Sequence, residues 1–510
     1  MLWRRTMTIC IAIACLALCP ANAQSEEFHV AIDGVDTPDR DGRSPAAAWA
    51  SLAYACQQVP EGPHTIQIGP GTFTADRPAR PHSGVTIAGS GATGNHATVL
   101  RPAADWSAPP PREDDDHGDG YLISLYAPRQ KLDGITIRDL ALHGDPAHRI
   151  NGAIFLRDAN HVALFNLDIR QFRWAGMRLM FAHHLDVHHN TLHNASTDKF
   201  GFHGGLIYTR WIKQSRLHHN RITSDTGGGY GYKGGGHEDV RIDHNRFDVA
   251  GGFSIESAHE NEYGVQIDHN IATGCFSIPK PGQSDDPNKR GFEYTFWIHH
   301  NLLSDSYTIE GPRNHLIFEH NFVNIAKPGG RVYTHHGGIN HGPIEIRHNV
   351  IVNCDRAFVW MNEGLAENIH VYNNTVFCAD AGDRAGKLIG AYRGDRLAGW
   401  IVRNNVFVAP ASQPRRLYQP ERGVAEKITL DHNLLVNVTG APDGNFTAES
   451  PGLNMSGEKP WPYYAPAAAD SPVVDRGADG SSFAGDAPNL GAYEWTVSEP
   501  FPLVGPEATD

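Results

Sequence analysis

The apolar positions along most of this chain follow one rhythm. A short run of alternating apolar and polar residues ends in a polar dyad, an apolar pair follows, and after a few turn residues a second alternating run begins. The segments 265–280 (VQIDHNIATGCFSIPK) and 316–335 (LIFEHNFVNIAKPGGRVYTH) both read this way. Alternation with a period of two predicts a half-buried strand, and a polar dyad between two such runs predicts a turn. The dyad ends in asparagine each time, at Asn190, Asn220, Asn245, Asn270, Asn301, Asn321, Asn349, Asn374, Asn405 and Asn433. The steps between them are 30, 25, 25, 31, 20, 28, 25, 31 and 28 residues.

Units of this size cannot bury an apolar face alone, so stacked coils must share one core. A leucine-rich repeat would show a leucine lattice at a shorter period, and a propeller would need about 40 residues per blade. The fold expected is therefore all-β, a right-handed parallel β-helix (solenoid) of about ten or more coils. Its body covers 101–440, between an N-terminal cap with the first coils at 24–100 and a C-terminal cap or tail at 441–510. The repeated asparagine reads as a turn residue that tolerates left-handed backbone, its amide bonding the equivalent asparagine above and below. On this reading the adjacent histidines belong to the scaffold.

The two ends depart from the repeat. Asp33-Gly34-Val35-Asp36 and Asp41-Gly42-Arg43-Ser44-Pro45 lead into a helical stretch over Ala46–Gln58, then a strand and turn at Ile66–Phe73. This resembles the amino-terminal cap of secreted β-helix proteins of the pectate-lyase-like superfamily. Asp475-Arg476-Gly477 and Asn489-Leu490-Gly491-Ala492-Tyr493-Glu494 resemble a tail common to the same proteins. The resemblance spans nearly the whole mature chain and implies the fold and an enzyme acting on polysaccharide. The aspartate clusters of polygalacturonases, the arginine and calcium-aspartate pattern of pectate lyases and the Lys/Arg motif of alginate and chondroitin lyases are not found.

Arg4 and Arg5, the apolar run Thr8–Leu18 and Ala21-Asn22-Ala23 predict a cleavable export signal at residues 1–23, which sends the mature chain to the periplasm or beyond. Four cysteines then remain, Cys56, Cys275, Cys354 and Cys378. Cys354 and Cys378 follow their repeat asparagines by five and four residues, so they are expected on adjacent coils, as a disulfide or as buried thiols. A net charge of −14 argues against nucleic-acid binding, and no later apolar run is long enough to span a bilayer. The expected form is a monomer with a polysaccharide or oligosaccharide as partner. No cofactor is assigned; Pro109–Gly120 (PPPREDDDHGDG) reads as a solvated loop, with calcium binding as the alternative.

Candidate chemistry comes from aligning the strand after each repeat asparagine. One predicted outward column holds Thr209, Tyr232, Glu256, Pro279, Glu310, His335, Met361 and Tyr392, and its neighbour holds Arg210, Lys233, Ser257, Lys280, Gly311, His336, Asn362 and Arg393. Glu256 and Glu310 fall two coils apart, about 9.6 Å between backbones at ~4.8 Å per coil. Inverting glycosidases hold their carboxyls about 6.5–9.5 Å apart, one as general acid and one as base. The catalytic set is therefore Glu256, Glu310, His335 and Lys280, with no metal. Arg313, Lys233, Tyr232, His259, Glu260, Arg210, His336 and Arg393 are the substrate-binding candidates, their cations suiting an acidic sugar. Trp360, aligned with Ile255 and Ile309, is expected to be buried. The alternatives to hydrolysis are a lyase performing β-elimination on a uronic-acid polymer and a non-catalytic surface β-helix.

Overall fold

The computed structural model describes residues 24–491 apart from 109–116, 146, 148, 195–204, 226–228, 258–260, 279–285, 305–308, 311–314, 326–330, 341–342, 381–385, 392–396, 419–427, 455–465, 475 and 479–490. For 250–251, 309–310, 334–340, 361–366, 391 and 397 only the backbone is described. The predicted export signal and the acidic stretch 109–116 lie outside these residues.

Each coil is three strands and three bends. A coil in the middle of the body runs through Ala175–Met180 (sheet A), His183–His188 (sheet B) and Thr191–His193 (sheet C), and a loop leads to Gly205–Arg210, back on sheet A. All pairing between coils is parallel, and sheet B stacks without a break from Glu27–Val30 to Ile428–Asp431. The predicted cap contains a helix, at Leu52–Gln58, preceded by a 3-10 turn at Pro45–Ala47. The strands Thr65–Ile68 and Gly71–Ala75 flank a turn, as the sequence pattern implies.

Alternation along the strands sends one side chain in two into a single continuous core. On sheet B the inward column runs Val187, Leu217, Ile242, Ile267, Ile298, Phe318, Ile346, Val371 and Val402, all buried. Burial of each such side chain favours folding by roughly 1.5–3 kcal/mol. The core has no local boundary, because each residue packs on its counterparts one coil away.

The corner between sheets B and C is where the asparagines sit. From Asn220 on, each Oδ1 accepts two bonds from the preceding coil, one from the asparagine backbone N–H and one from its Nδ2; Asn220 Oδ1, for example, takes Asn190 N at 3.1 Å and Asn190 Nδ2 at 2.9 Å. Nδ2 also donates to a strand carbonyl, as Asn220 does to Val187 at 2.9 Å. The ladder runs through all ten asparagines and ends on Asn445, twelve residues past Asn433 and outside the predicted spacing. One detail of the expectation is corrected. Left-handed backbone is held by the residue before each asparagine, from His189 (φ 54°) and His219 (φ 54°) to Asn404 (φ 58°) and His432 (φ 52°). The asparagine side chain needs to point inward to reach its partners, and the bend one residue earlier is what turns it there.

That bend stacks the histidines. His189, His219, His244, His269, His300, His320 and His348 lie ring over ring, with centroids 4.9–5.2 Å apart. Cys354 and Cys378 face each other in register on adjacent coils, as free thiols. Burial lifts the Cys378 thiol to about 12 and Cys354 well above its usual range, so neither is ionised near neutrality.

Candidate active site on sheet A

The outer face of sheet A does not follow the predicted alignment. The observed register runs Ser124, Phe155, Arg178, Tyr208, Lys233, Glu256, Ser277, Glu310, Thr334, Trp360 and Gly390. Tyr208 rather than Arg210 stands beside Lys233, and Glu256 rather than Ser257 faces it. Glu256 and Glu310 do remain two strands apart, joined through Ser277 instead of Pro279. On the strand of Glu256 the slip arises at a β-bulge, where the pairing shifts between Asp248 and Phe253 and again between Phe253 and Ile255; the Tyr208 slip comes from the long loop before its strand. An extra residue inserted into a strand re-aims the side chains after it, and a fixed offset from the asparagine cannot register it.

At the centre of this column Lys233 Nζ meets Glu256 Oε2 at 2.7 Å. The lysine side chain is 3% exposed and the glutamate side chain 13%, so the pair is dry on one side and opens to solvent at the carboxylate. Nζ also lies 3.9 Å from the centroid of the Tyr230 ring, which stacks on Phe253 with centroids 5.4 Å apart. Burial, with the Glu256 charge beside it, raises the Tyr230 phenol above its usual range. Tyr230 and Phe253 were absent from the sequence candidates. Parity from Ile255 placed Phe253 inward, whereas the bulge leaves its ring half-buried beside the site.

Toward the amino terminus the column closes. Arg178 is wholly buried, its guanidinium 4.1 Å from the Trp174 ring centroid, 5.5 Å from Tyr208 and 5.9 Å from Phe155. Such cation–π contacts let a desolvated guanidinium be held among aromatic rings.

Tyr232 is corrected from cleft residue to core. It lies inward at 1% exposure, with its hydroxyl 2.6 Å from Thr209 Oγ1 and 3.2 Å from His237 Nε2. His237 Nδ1 is 2.9 Å from Glu262 Oε2, and Ser257 donates to the other oxygen of Glu262. This buried network lies directly behind Lys233 and Glu256. Gly234 belongs to it: a Cβ there would come within 2.4 Å of Thr209 Oγ1 and 2.5 Å of His237 Cε1. The glycines around Lys233 therefore allow close packing rather than exposure.

Arg210 is a second correction, since it stands at the next bend with its guanidinium 3.8 Å from the Trp211 ring centroid, away from Lys233. Trp360 is a third. It shares the outer column and is half-buried, not core. His335 pairs with Met361, one position beyond the Glu310 column, and His336 pairs with Glu363 across a bulge. The side chains of Glu310, His335 and His336, and residues Lys280, Arg313, His259, Glu260 and Arg393, lie outside what the structure describes.

Sheet B carries the other concentration of charge. A shallow hollow of about 440 Å³ is lined by Asp186, Arg216, His218 and Arg241 among others. Its cations are already paired: Arg216 forks onto Asp243 at 2.8 and 2.6 Å, Arg241 onto Asp268 at 2.9 and 2.6 Å, and His218 reaches Asp186 at 2.9 Å. Asp268, His269 and His299 bring three ligand-type atoms within 4.8 Å of one another. The Asp268 carboxylate is held well below the usual range by His269 and Arg241, which outweigh its burial, so it serves the ladder and faces a fixed cation. Among the described residues, a metal assigned to this set would have to displace Arg241.

Residues 123–308 match the family described as a right handed beta helix region. No curated protein matches the chain. Among solved structures, the chain is similar to a mannuronic acid specific polysaccharide family 6 lyase from human gut microbiota (12% identity, 84% of this chain and 92% of that one, TM-score 0.44). It is also similar to the DFA-IIIase of Arthrobacter chlorophenolicus A6 crystallised without its lid (14%, 65% and 88%, 0.42) and to the A-module of a mannuronan C-5 epimerase from Azotobacter vinelandii (14%, 77% and 98%, 0.39). The family match spans the coils that carry Arg178, Lys233 and Glu256. It agrees with the three-sheet parallel register in giving the chain the fold of a right-handed parallel β-helix.

Proposed function

We propose that this chain is an exported enzyme that cleaves glycosidic bonds in an acidic polysaccharide, at the outer face of sheet A. The observation that carries the reading is the Lys233–Glu256 pair, a desolvated ammonium against a carboxylate that alone opens to solvent, flanked by the stacked Tyr230 and Phe253. A structural solenoid has no need to gather such unlike groups at one height, and a desolvated ion pair that opens to solvent at its carboxylate is a functional-site candidate. Hydrolysis is the leading chemistry. Glu256 and Glu310 hold register positions two strands apart, roughly 9.6 Å at ~4.8 Å per strand, close to the separation that leaves room for an attacking water. In that scheme one carboxyl protonates the leaving oxygen and the other takes a proton from water.

A second reading, β-elimination on a uronate, is favoured by Lys233 and Tyr230. The ammonium would offset the substrate carboxylate while a neighbouring group removes the C5 proton. Product mass separates the two on a panel of alginate, polygalacturonate, chondroitin sulfate and neutral xylan. Hydrolysis adds one water per bond cut; elimination adds none and gives an unsaturated end absorbing in the near ultraviolet. Release from the neutral polymer alone would contradict the acidic-substrate assignment.

A further inference from the structure

We infer that Cys354 and Cys378 become joined by a disulfide as the exported chain folds, a cross-link that closes one complete turn of the solenoid on itself. The inference rests on the export reading above and not on the glycosidic reaction. The two cysteines end successive strands of sheet C, Val350–Cys354 and Thr375–Cys378, and pair with each other directly. A bulge between Ile351 and Cys354 absorbs the one-residue difference in their distance from the repeat asparagines and sets them level. Paired residues on adjacent strands stand about 4.8 Å apart, inside the roughly 4.4–6.8 Å between Cα atoms that a disulfide spans. Both side chains face the same core, Cys354 within it and Cys378 packed against it. The remaining two cysteines of the mature chain lie elsewhere, Cys56 on the cap helix and Cys275 beside Phe253 on sheet A.

Arg415 supplies a second observation. It is 1% exposed, its Nε donates to Gly386 O at 3.2 Å and its Nη2 to Arg356 O at 2.8 Å, while Nη1 is buried with no hydrogen-bond partner among the described residues. Its charge acts on both thiols and opposes the effect of burial. A cation held there favours the thiolate, the form that attacks a disulfide. The oxidant is itself a disulfide, small or protein-borne, of a compartment outside the cytoplasm. Cys378, the half-buried member, is reached first. It gives up its proton, its thiolate attacks one sulfur of the incoming disulfide, and the other sulfur leaves as a thiolate. The Cys354 thiolate then attacks the Cys378 sulfur and releases the second. The cysteines lose two electrons and two protons, and the oxidant ends as two thiols. In the folded chain burial keeps both cysteines protonated, so closure belongs to folding. The closed turn carries Ala357–Glu367 of sheet A and Ile369–Tyr372 of sheet B. Each coil is held only by its neighbours, so a tie close to the carboxyl-terminal end of the ladder opposes fraying from that end.

The test refolds the full chain from denaturant with a mixture of oxidised and reduced glutathione, and in parallel with reductant alone. Thiol counting under denaturing conditions should find two fewer thiols in the first sample, with a mass lower by about 2 Da and an unreduced peptide map linking the segments of Cys354 and Cys378. That sample should melt about 3 °C higher, the scale of one closed loop in a chain of this length. An equal thiol count in the two samples, or a link through Cys56 or Cys275, would overturn the inference. Adding oxidised glutathione to the reduced chain after it has folded should leave its thiols unchanged over hours; oxidation as fast as during refolding would overturn the coupling to folding. Arg415→Gln should slow closure about tenfold, and an unchanged rate would remove Arg415 from the reaction. None of these readings depends on polysaccharide cleavage, and amino-terminal sequencing of chain recovered from the periplasm reads export separately.

Discussion

The corner between sheets B and C makes the same bonds on coil after coil, while the outer face of sheet A changes from one strand to the next. At the corner, from Asn220 on, each asparagine Oδ1 takes two donors from the coil before and each Nδ2 reaches the next Oδ1 and nearby carbonyls, while the residue before it, most often histidine, supplies the bend and a stacked ring. On sheet A the same vertical spacing carries Phe155, Arg178, Tyr208, Lys233, Glu256 and Ser277 in turn. Both regions are rich in polar atoms, yet only one is internally redundant. In a solenoid, a polar group that recurs at every coil is explained by the stacking itself. A polar group that occurs once needs another reason, and the proposed function assigns it to a substrate.

Breaking the non-repeating side should have the largest effect. Glu256→Gln is expected to lower kcat by about 10³-fold, the scale of a lost acid–base group. It also strands the Lys233 ammonium, at a cost of roughly 3–5 kcal/mol. The double variant Lys233→Met/Glu256→Gln should recover much of that stability while remaining inactive, so denaturant titration and turnover assays together separate chemistry from folding. If the double variant regained activity, the pair would be structural.

Breaking the repeating side should do the reverse. Asn270→Ala removes the acceptor for Asn245 N and one of the acceptors of Asn245 Nδ2, which keeps Leu217 O and Asp243 O, so one buried donor loses its partner. An unpartnered buried donor costs about 1–3 kcal/mol, so a loss of that size is expected, with specific activity per folded molecule unchanged. A loss of turnover without a loss of stability would bring the corner into the mechanism.

Acid should also act on the corner. Burial, reinforced by neighbouring imidazoles, holds His219, His300 and His320 at about 4, below the ordinary 6.5. The folded state thus binds fewer protons than the unfolded one between these values, so stability is full above about 6.5 and falls as pH drops toward 4. Melting temperature measured from pH 7.5 to 4 should decline across that window before the carboxylates of Asp243 and Asp268, both held low, begin to titrate. A flat profile would show that the stacked rings do not share this constraint. The smallest effect expected is that of His219→Asn, which keeps a residue tolerant of φ 54° and copies what Asn373 and Asn404 already do. It should be nearly neutral at pH 7.5 and should soften the acid transition.

The same contrast explains how much the sequence disclosed. The fold, the ladder and the pairing of Cys354 with Cys378 were legible because repetition writes the same contact many times. That Asn445 closes the ladder was not, since its twelve-residue step breaks the period. On sheet A, Glu256, Lys233 and the two-strand relation to Glu310 were found, but Tyr232, Arg210, Trp360 and Phe253 were misassigned. Each error traces to counting from the asparagine across loops of unequal length and a bulge, where a slip of one residue exchanges the inner and outer faces. Tyr208 was displaced because the alignment sat two residues too far along its coil, at Arg210, and Arg178 was missed because its strand precedes Asn190, the first repeat asparagine.

The central claim is that substrate lies on sheet A and not at the charged hollow of sheet B. A crystal structure of the Lys233→Met/Glu256→Gln variant soaked with an oligosaccharide from whichever polymer the parent degrades tests it most directly. The account predicts sugar density on sheet A beside Tyr230 and residue 256. Density over Asp186, Arg216 and Arg241, with sheet A empty, would contradict it.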